Sequence, residues 1–300
     1  MSKITFDGRV AIVTGAGRGL GRSHALLLAS RGAKLVVNDL GGAVDGSDKG
    51  SKSPADVVVD EIKAAGGEAV ADYNGVHTQD GANAMIETAT KAFGKVDIIV
   101  NNAGILRDIT LAKMTEEQWD GVLKVHVYGS YFTSKAVWPI MKENAYGRIV
   151  FTSSAAGLYG NFGQTNYSTA KLALVGLMNS LKIEGAKSNI LVNTIAPGAA
   201  SRMTESIMPK EALGVMKPEF VSPIVALMCS EEFKETGQIM VAGAGHFAKA
   251  QISESKGVYF DPTKEVTIED VNGKLQDILN MDGSVTMGNA MDAIGKFFKK

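Results

Sequence analysis

Residues Val10–Gly32 read VAIVTGAGRGLGRSHALLLASRG, and the reading of this stretch decides the fold. A β-branched run, Val10–Thr14, feeds directly into four glycines at alternate positions, Gly15, Gly17, Gly19 and Gly21, and helical spacing follows over Leu20–Ser30. No triple of these glycines satisfies the common dinucleotide fingerprint G-x-G-x-x-G. Their placement still has a physical meaning. Glycines at a strand-to-helix junction permit positive φ and let backbone approach a ligand closely. The helix that follows offers free N–H groups and the positive end of its dipole, a ready site for a pyrophosphate. A glycine turn that only tightens packing is the alternative, and residues further along the chain choose between the two.

Outward from this stretch, short β-branched runs alternate with longer helical patterns. The strand-like runs are 10–14, 33–39, 68–73, 95–101, 147–153, 189–196 and 238–243, and helical spacing fills 21–30, 54–65, 80–93 and 166–185. Near-continuous Val/Ile runs suit strands covered on both faces. Strand–helix alternation then predicts an α/β fold, a doubly wound seven-stranded parallel sheet with helices on both faces. The pattern runs without a linker to about residue 250, so residues 1–250 read as one domain. Residues 251–300 are more polar, with Gly257, Gly273, Gly283 and Gly288, and read as a tail or linker remnant with short helices, one over Ala290–Phe298.

Composition narrows the function classes. The 300 residues are 45% hydrophobic and 21% charged, ordinary usage for a globular chain with a large core. Lys and Arg number 31 against 32 Asp and Glu, a net charge of −1, so the basic footprint of a nucleic-acid binder is missing. The one cysteine, Cys229, cannot close an internal disulfide and reads as a small buried apolar residue. No signal-peptide core, transit pattern or apolar run of about 20 residues occurs, nor does the chain end in S-K-L or K-D-E-L. The expectation is a soluble cytoplasmic protein with no membrane partner, or a peroxisomal one if this is a module of a longer chain.

Four further signals follow in order. Asp39 ends the second strand-like run, twenty residues after Gly19, where an acid can accept hydrogen bonds from the adenosine ribose hydroxyls. Its charge would repel the 2′-phosphate of NADP. Arg18, inside the glycine loop, pulls the other way, but Asp39 meets the ribose directly, so NAD is favoured. Asn101-Asn102-Ala103-Gly104 follows the fourth run as a capping turn. Tyr167 and Lys171, spaced i and i+4, share one helix face. Ser154 ends the fifth run, thirteen residues before Tyr167, and strand end and helix can meet at the carboxyl edge of the sheet, where open α/β folds bind ligands.

In this order, the T-G-x-x-x-G-x-G of Thr14–Gly21, the N-N-A-G, the serine and the Y-x-x-x-K resemble the short-chain dehydrogenase/reductase family, a Rossmann-type fold. The resemblance implies hydride transfer between an alcohol carbon and a nicotinamide. A free phenol has a pKa near 10. A neighbouring Lys171 ammonium and a nicotinamide cation would lower it. Tyr167 would then act as general base in oxidation and general acid in reduction. Ser154 would stabilise the substrate oxygen. Lys171 would also hold the nicotinamide ribose. His126 occupies the slot where most members carry asparagine, and is expected to relay a proton or hold a water; a structural histidine is the alternative.

VNDLGG (37–42) with the insert Ala43–Ser53, NNAGILRD (101–108), KVHVYGSY (124–131), AAGLYGNFGQTNYS (155–168) and NTIAPGAASRMT (193–204) narrow the resemblance to one branch. These stretches resemble the (3R)-hydroxyacyl-CoA dehydrogenase units of type 2 peroxisomal multifunctional enzymes. That branch implies oxidation of a (3R)-3-hydroxyacyl-CoA to the 3-oxoacyl-CoA with NAD. By position it places Gly15, Gly17, Arg18, Gly19, Leu20, Gly21, Asp39, Gly75, Val76, Asn101, Ala103, Gly104, Tyr167, Lys171, Pro197, Ala199, Ala200, Ser201 and Arg202 around the cofactor. Asn74 stands where an acid often approaches the adenine. Met203, Met208 and Met216 suit an adaptable acyl site or simply the apolar faces of short helices. No metal site is assigned. An NADPH-dependent 3-oxoacyl-carrier-protein reductase, a 17β-hydroxysteroid dehydrogenase and a non-catalytic NAD-binding protein are the rivals. The apolar positions Leu172, Leu174, Val175 and Leu177 exceed one core-facing stripe. With the segment Trp119–Met141, they predict a homodimer or a tetramer of dimers.

Overall fold

Strand β1 (Val10–Thr14) is buried along its whole length, as a parallel strand covered on both faces must be. The computed structural model describes residues 3–42, 53–199 and 214–298. Beside β1 lie β2 (Lys34–Asn38) and β3 (Ala69–Asp72) on one side. On the other side follow β4 (Ile98–Asn101), β5 (Gly147–Thr152), β6 (Ile190–Gly198) and β7 (Ile239–Gly243). Every pair from β3 through β7 is parallel. The order β3-β2-β1-β4-β5-β6-β7-β8 reverses between β1 and β4. That reversal opens a crevice at the carboxyl edge, the place where doubly wound sheets take ligands.

The sheet has eight strands, not seven. The added strand β8 (His246–Ala250) returns from β7 through Ala244 and Gly245, at φ of 49° and 80°. Two consecutive positive φ values are the signature of a type I′ hairpin turn, whose twist matches the strands it joins. His246 and Phe247 on β8 are exposed, so no apolar alternation announced the strand.

Helices α1 (Gly19–Ala29) and α2 (Ser53–Ala64) pack on one face, with α3 (Gln79–Phe93) on the other. The first face is closed by Ala25 and Leu28 of α1 and Val58 and Ile62 of α2, packed against Ala11, Val13, Leu35 and Val37. Each such Val, Leu or Ile contributes about 1.5–3 kcal/mol relative to exposure. After β4 come α4 (Glu116–Leu123), a π turn (Lys124–Tyr128) and α5 (Gly129–Glu143). α6 (Ala155–Tyr159) and α7 (Thr165–Glu184) follow β5, and α8 (Ser222–Cys229) precedes β7. Leu174 and Val175 of α7 are core residues, so they belong to the sheet-facing stripe and only Leu172 of the quartet lies open, at 46% exposure. Cys229 is buried.

The chain divides into two compact units, Met1–Lys249 and Ala250–Lys300. The second contains α9 (Ile268–Gly273), α10 (Leu275–Leu279) and α11 (Ala290–Gly295), with an antiparallel bridge between Glu254 and Val285. Among the described residues no helix is long and apolar enough to cross a membrane.

Candidate active site

The glycine loop answers for its own spacing. Gly15 and Gly19 sit at φ of 63° and 53°, the left-handed region that only glycine enters without cost. Gly17 is held by space instead, since a Cβ there would lie 2.8 Å from the Asp39 carboxylate. That carboxylate is already engaged. Its Oδ2 accepts from the Gly17 N–H at 2.8 Å and its Oδ1 from the Gly41 N–H at 2.7 Å. Arg18, the N-cap of α1, makes no side-chain cap bond, and the first turn carries no acid. The helix therefore opens with no anion of its own at its positive end.

Asn102, which the sequence reading passed over, staples this loop. Its Nδ2 donates to the Thr14 and Gly15 carbonyls at 2.9 and 3.1 Å, while Thr14 Oγ1 accepts from the Asn102 and Ala103 N–H groups at 3.0 Å each. Its place in N-N-A-G was the signal that could have found it. Asn101 is buried, accepts from Thr133 Oγ1 at 2.6 Å through Oδ1, and leaves Nδ2 without a partner. Asn74 turns both its N–H and its Nδ2 onto Asp72, at 3.1 and 2.8 Å. Asp72 also takes Asn38 Nδ2 at 2.7 Å and Thr88 Oγ1 at 2.9 Å.

The second cluster forms where β5 ends. Ser154 caps α6, its Oγ accepting from the Ala156 N–H at 3.2 Å, and its side chain comes near enough to the Tyr167 hydroxyl to favour the ionised phenol. Lys171 lies one turn beyond Tyr167 on α7, with its Nζ 5.5 Å from the centre of the Tyr167 ring. The end of β5 and the residue after it grip this lysine. Its Nζ donates to the Thr152 carbonyl at 2.6 Å and its carbonyl accepts from Ser153 Oγ at 2.8 Å. Burial pulls the Lys171 ammonium down to about 7 and pushes the Tyr167 phenol up to about 12, the Ser154 side chain acting in the opposite sense on the phenol. Burial is the largest influence on the phenol and acts against the lowering expected from a Lys171 ammonium and a nicotinamide cation together.

His126 sits within the π turn, with Gly104 so close that a Cβ there would collide with the imidazole Cε1. Its Nε2 meets the Ile105 backbone, 3.1 Å from the N–H and 2.9 Å from the carbonyl, and Nδ1 has no partner. The ring stands edge-on to Tyr167, centroids 5.3 Å apart. Burial and the Lys171 charge keep it well below the ordinary histidine range, so it is neutral at pH 7. Gly75 and the buried Val76 follow Asn74, and Leu20 lies in α1. Pro197 is the penultimate residue of β6, and Ala199 is buried just beyond the strand. Ala200, Ser201, Arg202, Met203 and Met208 lie outside the described residues. No cluster of His, Cys, Asp and Glu suited to a metal occurs among the described residues.

A family model described as short chain dehydrogenase matches residues 9–212. The chain belongs to the short-chain dehydrogenase family. This short-chain dehydrogenase is 51% identical over 295 residues to peroxisomal multifunctional enzyme type 2 of Drosophila melanogaster, covering 98% of the chain and 49% of that enzyme. It therefore spans about half the length of that relative. Against a short-chain type dehydrogenase/reductase of Mycobacterium tuberculosis it is 51% identical over 280 residues, covering 93% of the chain and 97% of the relative. The solved full-length Drosophila enzyme superposes with a TM-score of 0.83 at 42% identity, over 98% of this chain and 49% of that one. A 7α-hydroxysteroid dehydrogenase complexed with NADH and 7-oxo glycochenodeoxycholic acid gives 0.72 at 29% identity, over 80% and 95% of the two chains.

As a short-chain dehydrogenase the protein is an oxidoreductase that uses a nicotinamide nucleotide. Its own residues fit that group. The uncapped N-terminus of α1 suits a pyrophosphate, and Asn101 Nδ2 is a buried donor awaiting an acceptor. Asp39 stands at the carboxyl end of β2.

Proposed function

We propose that the protein oxidises a (3R)-3-hydroxyacyl-CoA to the 3-oxoacyl-CoA with NAD. The observation that carries the reaction is the joining of Ser154, Tyr167 and Lys171 at the end of β5. The acyl-CoA substrate is supported by the branch resemblance and by the relative named a multifunctional peroxisomal enzyme. The choice of NAD rests on Asp39, whose carboxylate is clamped by two backbone N–H groups and so cannot swing away from a 2′-phosphate.

Bound NAD supplies the hydride acceptor and a positive charge. Tyr167 takes the alcohol proton, and its high proton affinity in the free site means it needs that neighbouring positive charge before it can ionise near neutral pH. Ser154 donates to the substrate oxygen and stabilises its developing charge. Lys171, anchored through one N–H to Thr152, keeps two further donors for the nucleotide ribose. Asn74, held by Asp72, bounds the adenine side. Neutral His126 positions the Tyr167 ring and offers Nδ1 to a relay water.

Exposed Tyr128, Tyr131 and Leu172 supply the apolar surface for a homodimer. The test of the whole reading is NADH formation with (3R)- and (3S)-hydroxyacyl-CoA substrates of several lengths, with NAD against NADP. Activity on neither enantiomer would remove the substrate assignment. In the same assay Asp39→Ser should shift the NAD-to-NADP ratio of kcat/KM by roughly 100-fold toward NADP; an unchanged ratio would remove the NAD assignment.

A further inference from the structure

The carboxyl ends of β1, β2 and β3 lie side by side, in the sheet order β3-β2-β1. A dinucleotide with its pyrophosphate at the turn from β1 into α1 and its ribose on Asp39 after β2 carries its base onward, to the end of β3. Asn74 stands there, half-buried, two residues past the strand. The ends of β2 and β3 are laced together. The Asp39 N–H donates to the Asp72 carbonyl at 3.0 Å. Asn38 Nδ2 donates to Asp72 Oδ1 at 2.7 Å and to the Asn74 carbonyl at 2.9 Å.

Asp72 is buried, and its two oxygens fix the polarity of what lies above them. A carboxylate offers only acceptors, so the atom of the Asn74 amide that faces Oδ2, at 2.8 Å, has to be the nitrogen. The reversed amide would set oxygen against oxygen. The Asn74 N–H holds the same carboxylate from the backbone, at 3.1 Å from Oδ1. Asn38 cannot turn over either, because its Nδ2 faces two oxygens. Asn74 Oδ1 is therefore left on the side of the amide away from Asp72. A free asparagine can meet a ligand as donor or as acceptor. Here Asp72 has already used the donor.

We propose that Asp72 is a positioning residue for base selection: by pinning the Asn74 amide it makes Asn74 Oδ1 the atom that meets the base, an acceptor that takes the exocyclic amine of an aminopurine and rejects the carbonyl of an oxopurine. This rests on the reading that places the ribose of NAD on Asp39.

The test is calorimetric binding of NAD and of nicotinamide hypoxanthine dinucleotide, in which a carbonyl replaces the adenine amine. The wild-type chain should bind NAD roughly tenfold more tightly, since the analogue loses a hydrogen bond and sets two acceptors together. In Asp72→Asn the residue beneath can offer either nitrogen or oxygen, the Asn74 amide can turn, and the ratio should fall to about twofold or less. Asn74→Ala, which keeps the backbone bond to Asp72, should weaken NAD roughly tenfold and leave the analogue within about twofold. The exchange of Asp72→Asn with Asn74→Asp should restore the wild-type ratio. The new amide at position 72 then donates to the new carboxylate at position 74, its oxygen still takes Asn38 Nδ2, and Thr88 Oγ1 donates to the Ala84 carbonyl, 3.0 Å away. The same comparison with NADP and its hypoxanthine analogue keeps the two readings apart. Tighter binding of the phosphorylated pair would remove the NAD assignment, while the ratio within that pair still decides the role of Asp72. A wild-type ratio near one would overturn the proposal. So would a ratio preserved in folded Asp72→Asn while both constants rise together, as a merely structural carboxylate requires, or a folded exchange variant that does not restore it.

Discussion

The two edges of the sheet bury charge in opposite ways. At the amino edge Asp97 accepts from Arg9 at 2.8 Å, Lys95 at 3.0 Å and the Val10 N–H at 2.9 Å. Buried Arg148 donates to the Gly147 and Asn189 carbonyls at 2.8 and 3.0 Å. The Tyr146 ring lies between the two guanidiniums, 3.6 Å from Arg9 and 4.2 Å from Arg148. At the carboxyl edge a lysine is 3% exposed with a single carbonyl for company, and His126 Nδ1, Asn101 Nδ2 and Thr152 Oγ1 have no partners. Asp97 at the amino edge is matched by two cations, while Arg148 has carbonyls for acceptors and the Tyr146 hydroxyl has no partner among the described residues. The partnerless atoms at the carboxyl edge lie among the residues proposed to hold cofactor and substrate, and a buried group without a partner costs stability until something satisfies it.

The largest test of this contrast is Tyr167→Phe. Turnover should fall roughly 10²–10⁴-fold, while NAD binding measured by calorimetry stays within about twofold of wild type. Near-wild-type turnover would mean that the carboxyl edge is not where the proton moves.

Lys171→Met should reveal the stored cost. With the folded pKa at about 7 against an ordinary value of 10.5, the unfolded chain binds the extra proton between these limits. Wild-type stability from this group is therefore lost as pH falls toward 7 and regained as it rises to 10.5. The variant should be inactive yet more stable at pH 6, by up to about 4 kcal/mol, with the gain fading toward pH 10 in chemical denaturation. A variant less stable at pH 6 would show that the amine is not stored at a cost.

At the other edge the sign reverses. Asp97→Ala leaves the Val10 N–H without its acceptor and deprives Arg9 of a buried partner. It should destabilise by about 3 kcal/mol, lowering Tm by roughly 6–12 °C, with kcat per folded molecule unchanged. A change in kcat without a change in Tm would erase the distinction between the edges. The smallest effect lies at the carboxyl edge, in the turn that follows β7. Ala244→Gly relieves a left-handed alanine in the β7–β8 turn and should add about 1 kcal/mol, read from denaturant midpoints.

The strands were legible to within about three residues at either end because buried parallel strands are continuous Val/Ile runs, as in Val10–Thr14 and Gly147–Thr152. β8 was not, because HFAKA is half-exposed and its cue was only an Ala-Gly pair. Leu174 and Val175 looked like surplus apolar residues, since periodicity alone cannot tell which stripe of a long helix meets the sheet. The glycine loop, Asp39, Tyr167 and Lys171 were legible because each depends on local spacing. The grip of Asn102 on the glycine loop was hidden because its partners Thr14 and Gly15 lie 88 and 87 residues away.

From residue order alone came the strand–helix alternation, the glycine turn between β1 and α1 and the shared face of Tyr167 and Lys171, all of which follow from backbone periodicity over a few turns. Tertiary structure alone decided that Thr152 and Ser153 grip Lys171, that His126 lies edge-on to the phenol, and that desolvation favours the neutral form of both Tyr167 and Lys171. Those outcomes depend on what surrounds a group in three dimensions, and dielectric surroundings are not written in sequence spacing.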